Sequence, residues 1–87
     1  MVYLAITSKG LADARRAAAD GDTVWCGADA ISERDYAAIA AADRPTRFIY
    51  DLGDRFLLDD ALGTIEEHHP DQTIWVESIP AVAGDGV

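Results

Sequence analysis

The chain has 87 residues, of which 49% are hydrophobic, a single cysteine and a net charge of −9. This length predicts one small domain that buries only about 60–65% of its unfolded surface, so there is little room for a deep catalytic pocket. The acidity predicts repulsion from nucleic acid and from anionic membranes, the lone cysteine excludes an intramolecular disulfide, and no run approaches the ~20 apolar residues of a membrane span. We therefore expect a cytoplasmic protein that binds neither nucleic acid nor membrane directly.

Strand-like and helix-like patterns alternate along the chain. Runs rich in β-branched and aromatic residues predict strands at 2–7, 23–26, 47–50 and 73–77, and the segments between them predict helices at about 9–20, 32–43 and 55–69. Such alternation favours a small βαβαβαβ domain of the α/β class over residues 1–78, with a mostly parallel four-stranded sheet and three helices. Residues 79–87, which contain a proline and two glycines, are expected to form a flexible C-terminal tail.

The first two predicted helices have recognisable start signals. Ser8 is the expected N-cap of the first helix. Ser32 opens a variant of the capping box, which predicts the start of the second helix, and Tyr36, Ile39 and Ala40 form its expected buried stripe.

The third helix has a clear apolar stripe but an open start. Leu58, Ala61, Leu62 and Ile65 follow helical spacing, and the N-cap is either Asp54 or Asp59. In a rival interpretation, Gly53 and Asp54 form a hairpin turn between residues 48–52 and 55–58.

Polar residues follow the predicted strands, at the edge where ligands bind to parallel sheets. By analogy with that rule, a candidate ligand-binding rim consists of Ser8, Lys9, Asp29 and Arg55. The Thr7–Gly10 segment lacks the glycine pattern of a phosphate-binding loop. Cys26 is expected to be a small buried apolar residue. Glu66 and His69 share a helical face, but the second such pair that a metal site on helices needs is missing, so we predict no metal site. We also predict no cofactor and no catalytic residue.

Negative charge is concentrated in the second half of the chain. Residues 1–47 hold seven acids and six bases, whereas residues 48–87 hold nine acids and only Arg55 as a base. The predicted binding face comprises seven acids on or beside the third helix: Asp51, Asp54, Asp59, Asp60, Glu66, Glu67 and Asp71. Such a face is either a solubilising surface or a docking site for a protein partner with a basic surface.

In length, acidity, alanine-rich helices and lack of a catalytic constellation, the chain resembles small accessory proteins of bacteriophages and prophages, including anti-CRISPR and other host-takeover inhibitors. These proteins share no motif, so the resemblance assigns no residue. It implies a stoichiometric inhibitor that blocks a basic surface of a host protein.

Three functions are therefore compatible with the sequence. We favour a non-enzymatic, acidic protein-binding module. The alternatives are a small α/β domain that binds a nucleotide or another ligand at the strand ends, and a self-associating assembly subunit. The sequence leaves homodimer formation open.

Overall fold

The computed structural model describes residues 1–78 and shows a four-stranded, all-parallel sheet with three helices, which confirms the predicted small α/β fold. The strand order is β3-β2-β1-β4, where β1 is Val2–Ala5, β2 is Thr23–Cys26, β3 is Thr46–Arg47 and β4 is Ile74–Val76. In register, Val2 lies opposite Thr23 on one side and Ile74 on the other. The predicted tail, residues 79–87, lies outside the described residues.

The third strand is shorter than predicted. Only Thr46 and Arg47 pair with β2, and the predicted extension over residues 48–50 is wrong. The chain bends at residues 49 and 50, and the side chains of Phe48 and Tyr50 pack against the core: the ring of Phe48 lies 5.3 Å from that of Trp25 and also 5.3 Å from that of Tyr50. The backbone still keeps two hydrogen bonds to the β2 side: the N–H of Phe48 donates to the carbonyl of Cys26 at 2.8 Å, and the N–H of Ala28 donates to the carbonyl of Tyr50 at 3.0 Å.

The first two helices differ in detail from their predictions. α1 spans Ser8–Ala17, and its N-cap is Thr7 rather than Ser8. α2 spans only Glu33–Ala38, with the expected N-cap Ser32, and a 3₁₀ helix follows at Ala41–Asp43. The predicted buried stripe of α2 is also wrong, because Tyr36 and Ile39 are half-buried and Ala40 is exposed.

The guanidinium of Arg44 accounts for the early end of α2. It donates hydrogen bonds to the carbonyl oxygens of Ile39, at 2.7 and 3.2 Å, and of Ala37, at 3.3 Å. These bonds satisfy carbonyls that a longer helix would have paired internally.

α3 spans Arg55–His68 and settles the open start in favour of Asp54. The Asp54 carboxylate accepts hydrogen bonds from the backbone N–H groups of Phe56, at 2.9 Å, and Leu57, at 3.2 Å. The rival hairpin is wrong, since residues 55–58 are helical. The C-terminal end falls at His68, one residue before the predicted end.

The sheet separates two apolar clusters. Alternate residues of a strand point to opposite faces. Val2, Leu4 and Ile6 accordingly pack with Ala61 and Ile65 of α3, whereas Ala5 and Cys26 pack with Leu11 of α1. α1 and α3 therefore cover opposite faces of the sheet.

None of the helices in the described part of the chain is both long enough and apolar enough to cross a membrane.

Candidate functional site

The strand order places the crevice position of this sheet between β1 and β4, because α1 leads from β1 to β2 on one side of β1, whereas α3 leads from β3 back to β4 on its other side. Glu77, directly after β4, occupies it. One carboxylate oxygen, Oε1, accepts hydrogen bonds from the backbone N–H groups of Ile6, at 2.6 Å, and Thr7, at 2.7 Å. The other, Oε2, accepts from the Thr7 hydroxyl at 2.5 Å, and that hydroxyl in turn accepts from the N–H of Gly10 at 3.0 Å.

This carboxylate stays charged at neutral pH. Burial acts to raise the pKa of Glu77, but hydrogen bonds from the Thr7 hydroxyl and from the backbone of Thr7 and Ile6 outweigh it, so the pKa is lowered. The N-terminus of a helix favours an anion through its unpaired N–H groups and its dipole. Glu77 places its carboxylate beside the start of α1, on the N–H groups of the two residues that precede the helix.

The glycine at position 10 is required by this arrangement. A Cβ atom added there would overlap the carboxylate of Glu77. Neither Glu77 nor Thr7 was predicted as a site residue, because their partnership joins positions about 70 apart in sequence. Within the sequence, the only local signal was a threonine three residues before a glycine at a helix start.

A second carboxylate at this edge of the sheet, that of the predicted rim residue Asp29, is also bound by backbone groups of the chain. Asp29 accepts hydrogen bonds from the backbone N–H groups of Leu52, at 3.1 Å, and Gly53, at 2.9 Å. It thereby ties the loop after β2 to the loop before α3. This is a positioning role for two loops.

The remaining rim residues do not meet at one point. Ser8 and Lys9 begin α1 and are exposed, and Lys9 forms an ion pair with Asp13 at 3.1 Å. Arg55 begins α3 on a different connection and is also exposed. The structure thus brings the four rim residues to the same edge of the sheet without gathering their side chains into one cluster.

Cys26 is completely buried, as its apolar surroundings predict. Burial raises the pKa of its thiol to about 11. At neutral pH the side chain is an uncharged thiol with low nucleophilicity. The expectation that this residue has a structural role is consistent with both observations.

The acidic face is the outer surface of α3 together with the chain on either side of it. Asp59, Asp60, Glu66 and Glu67 are exposed on the side away from Ala61 and Ile65. The other three predicted members are also exposed; Asp51 and Asp54 precede the helix, and Asp71 follows it.

The acidic face carries almost no compensating charge. The ion pairs of residues 1–78 all use Asp13 or Asp22 as the acid, so they involve none of the seven carboxylates. Arg55 lies one turn before Asp59 without forming an ion pair with it. Asp54 has a further structural role as the N-cap of α3.

Phe56 is an exposed apolar side chain within this face and was not singled out from the sequence. It is 81% exposed. Residues three or four apart share one side of a helix, so Phe56 lies on the same side as Asp59, Asp60 and Gly63. The helical spacing that places Ala61 and Ile65 inside also places Phe56 outside, and this was the available sequence signal.

The two histidines at the end of α3 pack on the sheet. Nε1–H of Trp25 donates a hydrogen bond to Nε2 of His69 at 3.3 Å, and the rings of His68 and His69 lie 5.7 and 5.9 Å from the indole ring. Across the described residues, no group of three or more His, Cys, Asp or Glu side chains is arranged to hold a metal ion. These histidines anchor the end of the helix that carries the acidic face.

Comparison with known proteins gives no relative: no protein-family model, no curated protein and no solved structure matches this chain significantly. The features of the chain that bear on function are therefore those of its own geometry. That geometry consists of a charged, unpaired helix face and a strand-end edge whose backbone donors are bound by the chain's own carboxylates.

Proposed function

We propose that this chain is a non-enzymatic protein-binding module that docks its acidic face on a basic surface of a partner protein. The observation that carries this proposal is the set of exposed carboxylates on the outer side of α3, none of which is paired within residues 1–78.

The helix presents these charges on a fixed frame. Ala61 and Ile65 are completely buried in the core, and the end of α3 is held by the contacts of His68 and His69 with Trp25. Charges on a fixed frame need little ordering when a partner binds, which lowers the entropic cost of association. A one-sign patch also steers an oppositely charged partner and raises the association rate, more than it strengthens each contact.

The strand-end edge offers weaker support for the alternative of ligand binding. Its two best groups of backbone donors, at Ile6 and Thr7 and at Leu52 and Gly53, already bind carboxylates of the chain. An anionic ligand would have to displace a hydrogen-bonded side chain at either place. The acidic face needs no such displacement.

The resemblance to phage accessory inhibitors suggests a narrower form of this proposal. A host protein that uses a basic surface to hold nucleic acid would be blocked by an acidic module of this kind, because the two anionic surfaces compete for the same cations. The small size of the chain and its net charge of −9 support this narrower proposal.

Affinity capture from a native lysate tests the proposal. The immobilised chain is compared with a variant that carries Asp59→Lys, Glu66→Lys and Glu67→Lys. A control carries Asp20→Lys, Glu33→Lys and Asp43→Lys, which are exposed positions away from α3 that change the net charge equally. We expect a partner that the wild-type chain and the control retain at low salt, and that the α3 variant loses. Retention of the same partner by all three chains would refute the proposal.

A further inference from the structure

Phe56 is the most exposed aromatic side chain among residues 1–78. It is 81% exposed at the second position of α3, on the side of the helix away from Ala61 and Ile65. An aromatic ring has a negative face that attracts cations as well as a large apolar area. Most of this ring is therefore available to a partner that docks on the acidic face.

Two carboxylates lie one turn after Phe56 on the same side of α3. Asp59 and Asp60 follow it by three and four residues, a spacing at which Cβ atoms on a helix are about 5–6 Å apart. Side chains on a helix lean toward its N-terminus, so both carboxylates lean toward the ring. Both are exposed, and neither is in an ion pair within residues 1–78.

A cation from a partner would meet little competition at this position. Arg55 is the only lysine or arginine in residues 48–87, and it is in no ion pair of the described chain. Among the described residues, the one cation–π contact lies at Tyr36 and not at Phe56. The positive end of the helix dipole is covered by Asp54, whose carboxylate accepts hydrogen bonds from two N–H groups of the first turn.

We propose that Phe56, Asp59 and Asp60 form the docking site for an arginine side chain of the partner. This inference rests on the proposed function and names the cation that the acidic face takes. A guanidinium is planar, so it can stack on the ring while its N–H groups donate to a carboxylate. The ammonium of lysine is a compact charge that cannot do both in this way, so the site selects arginine over lysine.

Titration of the full chain with hexa-arginine and with hexa-lysine tests the proposal. The two peptides have equal length and charge. Each is added to the isotope-labelled chain at about 0.01 M salt, where screening is weak, and dissociation constants are taken from the shifts of backbone amide resonances. We expect hexa-arginine to bind about fivefold more tightly than hexa-lysine, and its largest shifts to fall at residues 55–60.

Two variants separate the ring from the charge. Phe56→Leu keeps an apolar side chain but removes the ring face, so the preference for arginine should fall below about twofold. Ile49→Ser is the matched control, because Ile49 is 86% exposed and lies before α3, outside the proposed site. Both positions are exposed, so each variant should keep the fold, which circular dichroism verifies.

The outcomes distinguish this inference from the proposed function. Equal affinities for the two peptides, an arginine preference that survives Phe56→Leu, or largest shifts away from α3 would overturn the arginine site. Absence of binding by either peptide at about 1 mM would also overturn it. Equal affinities with shifts on α3 would remove the arginine site and leave the acidic docking face intact. The proposed function itself fails only if the captured partner is retained after the charge reversals on α3.

Discussion

Gly10→Ala should change the free energy of unfolding in opposite directions, depending on whether Glu77 is present. Alanine normally stabilises a helix relative to glycine by about 1 kcal/mol. At position 10, however, the new methyl group would displace the Glu77 carboxylate from Ile6 and Thr7. The N–H of Ile6, a residue that is 4% exposed, would then lose its partner.

The magnitudes follow from the bonds lost. An unpaired buried N–H and the lost charge-assisted hydrogen bonds together cost about 3 kcal/mol. Because alanine favours the helix by about 1 kcal/mol, Gly10→Ala should destabilise the protein by about 2 kcal/mol in total. Glu77→Ala should cost about 3 kcal/mol by the same reasoning. In the Glu77→Ala chain, Gly10→Ala should instead stabilise by about 0.5–1 kcal/mol.

Urea unfolding of the four chains, followed by circular dichroism, measures this double-mutant cycle. Glu67→Gln, on the exposed face of α3, is a matched control that should change stability by less than about 0.5 kcal/mol. Additive effects of the two substitutions, or a stabilising Gly10→Ala in the wild-type chain, would refute the reasoning.

Three further predictions concern pH, the core and the cysteine. Because the pKa of Glu77 is lowered from its ordinary value of 4.5, its contribution to stability is present above that value and is lost as the pH falls through the lowered pKa; acid titration of Glu77→Gln should lack this component. Ile65→Ala should cost about 3–4 kcal/mol in urea unfolding because Ile65 is completely buried, whereas Leu62→Ala, at a half-buried position, should cost about half as much. Equal losses at the two positions would contradict the assigned helix face. The Cys26 thiol should resist iodoacetamide at pH 8 until the protein is unfolded, since burial raises its pKa to about 11; fast alkylation of the native chain would contradict its burial.

Local sequence patterns predicted the elements that depend on local physics. The apolar spacing from Leu58 to Ile65 defined α3, and the alternation of strands with helices defined the parallel sheet. Ser32 was predicted as a cap and Asp54 was one of two candidate caps, and both side chains bind N–H groups two or three residues ahead. These interactions are contained within a few residues and can therefore be inferred from a window of sequence.

The features that sequence reasoning missed arise from contacts between distant residues. Glu77 reaches the start of α1 across the sheet, and that contact fixes Thr7, not Ser8, as the N-cap. The packing of Phe48 after Arg47 involves the ring of Trp25, which belongs to another strand. The acidic composition of the candidate site was readable from the sequence, and the helical spacing of Phe56 relative to Ala61 and Ile65 was a local signal for its exposure that the sequence interpretation did not use.

Association kinetics of the captured partner provide the most direct test of the acidic face. The rate constants are measured at about 0.01 M and 0.15 M salt, where the Debye length is about 30 Å and 8 Å. At low salt, reversal of Asp59, Glu66 and Glu67 should lower the association rate constant by at least about tenfold, and the difference should shrink at the higher salt concentration. Reversal of Asp20, Glu33 and Asp43, with the same change in net charge, should have a much smaller effect. Equal effects of the two reversals, or rates independent of salt, would contradict the claim that the face of α3 is the docking surface.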